Sequence, residues 1–361
     1  MTQLELKSLT KSFGAYKVFD GLNLAAESGE IVVIFGGSGT GKTILLRLIA
    51  GVEEPTSGLI EIEGSDVADI APEHRNIGMA FQNFALFPHM SAFENIAAPL
   101  RAQNASAELV KSGVGKVAKL LKIDHVLGHA PRELSNGQKQ RTALARALAA
   151  GPRILLLDDP LRNVDAKLRF EMRLELPRLL RQTGAAVLYV TQDYKEAMAL
   201  GDRIAVIASG KFIQTAAPED IYLRPVTLGV AQLFGDPSIN TAKTKVEMEG
   251  KTVNVTLGGV KVPIASSYSS YDGRFVTFGV RPEAVEINAS MGTGLEAKVM
   301  AVTPLNERTV LLLQSEGGWE FLTSLPSSAK DIPEPGARVK ATFAAGGTHL
   351  FDKTTAERLH G

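Results

Sequence analysis

Eight consecutive residues, Gly36-Gly37-Ser38-Gly39-Thr40-Gly41-Lys42-Thr43, set glycines before a lysine and a threonine in the pattern G-x-x-x-x-G-K-[ST]. This is chemistry for a polyphosphate. Glycines let backbone N–H groups turn inward around an anion, and the positive end of a following helix faces the same charge. In such a loop Lys42 pairs the β- and γ-phosphates of ATP and Thr43 holds Mg²⁺ through its hydroxyl. A plain glycine turn has no use for either residue. The elements that must position the loop are also present: an apolar run, Ile31 to Phe35, precedes it and an apolar-periodic run, Ile44 to Ala50, follows it.

Further residues suit the same reaction. Ile154 to Leu157 are apolar and end in Asp158-Asp159-Pro160. A buried strand there delivers Asp158 to the Mg²⁺ shell and lets Asp159 face an attacking water. Ser135 and Gln138, in Leu134-Ser135-Asn136-Gly137-Gln138, form a Ser-x-x-Gln capping box at the start of a helix. A glycine-loosened helix start is also an anion site, so both roles fit. Gln82 follows the apolar run Ile77 to Phe81 and is expected at a strand end, where a neutral amide can touch Mg²⁺ or water and swing away. Phe84, Leu86, Phe87 and Pro88 are expected to be exposed on the next loop, where they suit a groove that receives a helix from a membrane partner. Burial in a helical subdomain is the other reading.

Composition narrows the class. The chain has 361 residues, room for two domains. Lys+Arg and Asp+Glu both number 39, so no global basic field recruits nucleic acid or anionic lipid. Cysteine is absent, which excludes disulfides, thiolate metal sites and a cysteine nucleophile. Met1-Thr2-Gln3-Leu4-Glu5 carries no basic-then-apolar leader pattern. No run approaches the ~18 apolar residues of a membrane span, so other chains must supply any spans.

Residues 1–235 alternate strand and helix signals. β-rich runs are Ile60 to Ile62, Ile77 to Phe81, Ile154 to Leu157, Val187 to Thr191 and Ile204 to Ile207. Val110, Val114, Val117 and Leu121 recur at helical spacing. The expectation is an α/β domain with a mostly parallel sheet, and a helical subdomain over about 88–150. Ser209-Gly210 reads as a hairpin turn. From 236 to 361 the runs Lys251 to Leu257, Phe275 to Val280, Leu295 to Val302, Thr309 to Gln314 and Val339 to Phe343 alternate with turn residues. They predict an all-β, barrel-like domain with a regulatory or dimerisation role.

Taken together the P-loop, the LSGGQ-like signature and the Asp158-Asp159-Pro160 element resemble the ATP-binding subunit of an ABC transporter. Phe81 to Met90 is similar to the glutamine loop of the carbohydrate-uptake importers, the maltose and glycerol-phosphate type. Val280-Arg281-Pro282-Glu283 and His349-Leu350-Phe351-Asp352 resemble their C-terminal, OB-like β domain. The resemblance covers nearly the whole chain. It implies an ATPase coupled to solute import, working at the cytoplasmic face of the inner membrane with two membrane-spanning permease subunits and, indirectly, a solute-binding protein. It implies a dimer in which Ser135, Gly137 and Gln138 meet the ATP of the opposing subunit. Phe13 matches the adenine-stacking aromatic, with Tyr16 as its neighbour; stacking selects bases weakly. The solute class it implies is a sugar, polyol, glycerol or glycerol-phosphate.

Four positions depart from the family pattern: Asp159 for glutamate, Gln192 for the switch histidine, Asn136 for a signature glycine, and Arg162 for a small serine. Aspartate is one methylene shorter than glutamate, and a shortfall of roughly 1 Å can cost ~10²-fold in rate. Gln192 donates hydrogen bonds but cannot carry charge or a proton. No histidine lies between His129 and His349 to replace it. A slow own site follows, and with it a heterodimer in which a paralogous ATPase supplies glutamate and histidine to the other site. A homodimer with tolerated substitutions remains open. So do a soluble ABC protein outside transport, which the neutral charge disfavours, and a non-hydrolysing regulatory subunit.

Overall fold

The computed structural model describes residues 1–288 and 294–360. The chain divides into two compact units, Met1–Pro218 and Glu219–Gly361.

The first unit runs, in chain order, β1 (Thr2–Phe13), β2 (Tyr16–Glu27), β3 (Ile31–Phe35), α1 (Lys42–Ala50), β4 (Ser57–Ile62), β5 (Ser65–Asp66), β6 (Ile77–Ala80), α2 (Ala92–Ala102), α3 (Ala107–Leu120), α4 (Asn136–Leu148), β7 (Ile154–Asp158), α5 (Ala166–Arg181), β8 (Ala186–Thr191), α6 (Tyr194–Leu200), β9 (Arg203–Ala208) and β10 (Lys211–Ala216). Its central sheet has the order β10-β9-β3-β8-β7-β6. Pairing is parallel from β9 through β6, and β10 closes back on β9 as the antiparallel hairpin expected through Ser209-Gly210. Strands β3, β7 and β8 are buried at every residue, as a sheet covered on both faces requires.

The expectation of one mostly parallel sheet is corrected in one respect. A second, antiparallel sheet, β2-β1-β4-β5, belongs to the same unit. Leu4, Leu6, Phe19, Leu22 and Leu24 of this sheet share one core with Leu45, Leu46 and Ile49 of α1 and with Ile34, Leu156 and Leu188 of the central sheet. Helix α1 thus has apolar neighbours in both sheets. At its other end the buried Arg75 donates to the carbonyls of Leu48 and Ile49, a cation at the negative end of the helix. In α3 the predicted stripe Val110, Val114, Val117 and Leu121 is buried.

The second unit begins with two short helices, α7 (Pro218–Leu223) and α8 (Leu228–Leu233). Six- and five-stranded antiparallel sheets follow, and one core fills the space between them, with Val255, Leu257, Phe278 and Val280 from one and Val299, Leu311, Leu313 and Phe321 from the other. All five expected runs form strands. Asn240–Glu249, mostly polar, also forms one, because Thr252–Leu257 and Phe275–Val280 pair along its two edges.

The units divide at 218/219, where the sequence reading divides the chain at 235/236. The physical reason is Arg281. Its buried guanidinium donates to the carbonyls of Tyr222 (2.9 Å), Ala231 (2.8 Å) and Phe234, and stacks over the Tyr222 ring at 4.1 Å. One side chain of the β region thereby ties down α7 and α8.

Candidate functional site

Four parallel strands end at one edge of the central sheet, and each delivers part of the site. Strand β3 leads into the glycine loop, β8 into Gln192, β7 ends in Asp158 and leads into Asp159, and β6 leads into Gln82, two residues past its end. Registers align these ends: Phe35 pairs with Thr191, Asp158 with Val190, and Ala80 with Leu157. The cleft they frame is lined by Lys42, Thr43, Gln82, Asp158, Asp159 and Gln192, together with Ser38, Gly39 and Gly41. Ligands of open α/β sheets bind at this edge.

The loop is built for close backbone approach. Gly41 caps α1 with φ 88°, and a Cβ there would stand 2.6 Å from Val18 and 2.8 Å from the Phe19 ring. No side chain caps α1 and its first turn carries no acid, so its positive end faces the cleft uncompensated. Lys42 donates to the carbonyls of Gly36 (2.8 Å) and Gly37 (2.6 Å), and Thr40 donates to Gly37 (3.0 Å). Burial lowers the Lys42 pKa against the opposing pull of Asp159 and Asp158. An anion in the cleft would relieve that penalty. Thr43 donates to Asp158 at 3.0 and 3.2 Å, two oxygen side chains of the kind that hold a hard divalent cation.

Burial raises the pKa of both Asp158 and Asp159. Asp159 adopts φ 46°, left-handed backbone that aspartate tolerates better than most residues, and its N–H donates to the Val190 carbonyl. Arg162, flagged in the sequence only as a departure, also lines the cleft: its Nη1 is 3.7 Å from Asp159 Oδ2. Behind Gln192 lies a group that sequence reasoning missed. Glu196, buried, accepts from Tyr189 (2.8 Å) and Thr191 (3.0 Å), and Asp193 caps the helix that follows. Burial pushes the Glu196 carboxyl up to about 7. A glutamate on an apolar helix face was the available signal.

The remaining predicted residues stand away from this cleft. Ser135 is exposed at the start of α4 and makes the expected capping box, accepting from the Gln138 N–H (3.3 Å) while Gln138 accepts from the Ser135 N–H (2.9 Å). Gly137 is buried, and a Cβ there would come within 2.0 Å of Leu168, so its glycine has a packing reason in this chain. Phe13 is exposed at the end of β1 with Lys11 Nζ 4.7 Å over its ring, and Tyr16 is exposed nearby. The loop after Gln82 corrects the sequence reading. Phe87 and Pro88 are exposed, but Phe84 and Leu86 are half-buried, because Arg146 donates to the carbonyls of Phe84 and Ala85 and draws the loop in.

Three family models match the chain: ABC transporter over residues 19–162, MalK OB fold domain over 235–285, and TOBE domain over 278–351. The chain is 37% identical to the sn-glycerol-3-phosphate import ATP-binding protein of Escherichia coli K12, covering 99% of this chain and 100% of that protein. It is 38% identical to the alpha-glucoside transport ATP-binding protein of Rhizobium meliloti, covering 98% of each. It is 35% identical to the sulfoquinovosyl glycerol transport ATP-binding protein of Agrobacterium fabrum, covering 100% of each.

Proposed function

The chain belongs to the ATP-binding subunits of ABC transporters, and from that premise we propose that it energises import of glycerol-phosphate or a related sugar, polyol or glycerol, in a heterodimer with a paralogous ATPase. The observation that carries the ATPase assignment is the meeting of Lys42, Thr43 and Asp158 in one cleft at the sheet edge. Lys42 and the α1 N-terminus would hold the phosphates, and Thr43 and Asp158 would hold Mg²⁺, with Gln82 within the same cleft. Mg²⁺ held there would supply charge neutralisation for the phosphates during transfer of the terminal phosphoryl group to water. Asp159 orients that water and Gln192 donates toward the terminal phosphate.

The solute class rests on similarity along the full length to ATP-binding proteins named for sn-glycerol-3-phosphate import and alpha-glucoside transport. No described helix is long and apolar enough to cross a membrane. On the likeness to import and transport ATP-binding proteins, the proposal includes two permease subunits as partners, a solute-binding protein acting through them, and a place at the cytoplasmic face of the cell membrane. Asp159 and Gln192 favour the paralogue over a second copy, because both weaken hydrolysis at the same site. Ser135, exposed on the same unit as the cleft, keeps self-pairing geometrically available as the second reading.

Affinity purification of the tagged chain from solubilised membranes tests the assembly. The expected result is recovery of permease subunits together with a distinct ATPase. Recovery of permeases with this ATPase alone would make the homodimer correct. Recovery of neither, with ATP binding intact, would remove the transport assignment.

A further inference from the structure

The phosphate site as described has no use for Arg162, yet its guanidinium lines the cleft beside Lys42, Gln82 and Asp159. Nη1 lies 3.7 Å from Asp159 Oδ2. With the Gln82 amide oriented so that its oxygen faces the guanidinium, Nη1 and Nε donate to it at 3.0 and 3.2 Å. That orientation is the one satisfying both groups. The backbone below is fixed: the Arg162 N–H donates to the Asp159 carbonyl (3.2 Å), Arg169 donates to the Arg162 carbonyl (3.2 Å), and Asn163 donates to the Gln82 carbonyl (3.0 Å). The side chain itself is 54% exposed. It is a half-exposed cation on a hydrogen-bonded backbone, joining the residue that would orient water to the residue that would touch the metal.

We propose that Arg162 is the triphosphate-sensing residue of this site: without ATP it holds Asp159 and Gln82 together, and a γ-phosphate draws it away and releases both. The inference rests on the nucleotide-site reading above. The Asp159–Arg162 pair, with the guanidinium half exposed and the carboxylate nearly buried, is longer at 3.7 Å than a hydrogen bond, whereas a guanidinium and a phosphate form charge-assisted, two-point hydrogen bonds. The terminal phosphate of ATP therefore outcompetes Asp159 for the cation. ADP lacks the phosphate that faces the water-orienting side of the cleft and leaves the pair in place.

The test is equilibrium binding of a non-hydrolysable ATP analogue and of ADP, each with Mg²⁺, to the full chain and to its Arg162→Ser and Arg162→Lys variants. Arg162→Ser is expected to weaken the ATP analogue about tenfold and leave ADP unchanged. Arg162→Lys is expected to recover part of the loss, because the charge stays and the planar fork is lost. An unchanged ratio of the two affinities, or an equal loss for both nucleotides, overturns the proposal. Wild-type protein that binds neither nucleotide would instead overturn the nucleotide-site reading beneath it.

Discussion

Thr43 Oγ1 donates to Asp158 Oδ2 at 3.0 Å across 115 residues of chain. Thr43 lies in the first turn of α1, reached from β3 through the glycine loop, and Asp158 ends β7; β3 and β7 are not neighbours, because β8 lies between them. The bond therefore closes over the end of β8, and Gln192, just past that end, joins the same cleft. Sheet order brings three distant segments to one small volume.

That pair leads to the first prediction. Asp158→Asn keeps a hydrogen-bond partner for Thr43 but removes the one charged group of the pair assigned to the metal. The Mg²⁺-dependent gain in ATP affinity should fall about tenfold or more, while Mg²⁺-free ATP binds as before. Titration with a fluorescent nucleotide, with and without EDTA, measures both. Equal Mg²⁺ enhancement in the variant would exclude Asp158 as a metal ligand.

Lys42→Ala should abolish detectable ATP binding and leave the fold intact. Of the two carbonyls that Lys42 engages, Gly36 is buried and Gly37 is exposed, so losing both bonds should cost about 1–3 kcal/mol of stability. Nucleotide titration beside a urea unfolding curve checks both halves. Undiminished affinity would refute the phosphate role.

The isolated chain should hydrolyse ATP slowly, and Asp159→Glu with Gln192→His should raise the rate more than either change alone. Glutamate restores reach and histidine restores a group able to carry charge, and both act on one transition state. Asp159→Glu alone should lose about 1 kcal/mol of stability, since φ at this position is left-handed. Steady-state phosphate release decides; ordinary turnover by wild type, with no gain in the double variant, would favour the homodimer.

ATP binding should survive removal of the second unit when the cut follows Pro218. A cut after Gly235 should give a less stable fragment, because α7 and α8 are left without Arg281. Melting curves and nucleotide affinity for fragments 1–218 and 1–235 compare the two. A 1–218 fragment that folds without binding ATP would contradict the division.

Glu196→Gln should stabilise the protein at pH 8 and not at pH 4. Folding lifts the carboxyl from 4.5 to about 7, so between those values the folded chain holds a proton that the unfolded chain has released. Stability from this group therefore falls as pH rises from 4.5 to 7, and the whole penalty, about 3 kcal/mol, is present above 7. Glutamine keeps an acceptor for Tyr189 and Thr191 and does not ionise. Equal stability of both proteins at pH 8 would show that Glu196 titrates normally.

Much of the site was readable because its signals are local. A P-loop is a run of neighbouring residues whose types answer to one anion, and a capping box is two residues three apart, so Lys42, Thr43, Ser135 and Gln138 could be assigned roles before any fold was known. Asp158 was legible because four buried residues precede it. The polar strand Asn240–Glu249 was not legible, since its pairing lies in its neighbours and not in its own apolar content. Nor was the antiparallel sheet of β1 and β2 foreseen as a layer, because the core it shares with α1 joins residues far apart in sequence.

By itself, then, the sequence determined the phosphate chemistry, the strands and helices that carry it, and the departures at Asp159 and Gln192. Tertiary structure alone decided that Arg162 reaches Gln82, that Gly137 packs against the Leu168 side chain, and that Arg281 claims two helices for the second unit. Each of these contacts joins a long or missing side chain to a residue on a distant segment. Spacing along the chain carries no information about that distance, and only packing sets it.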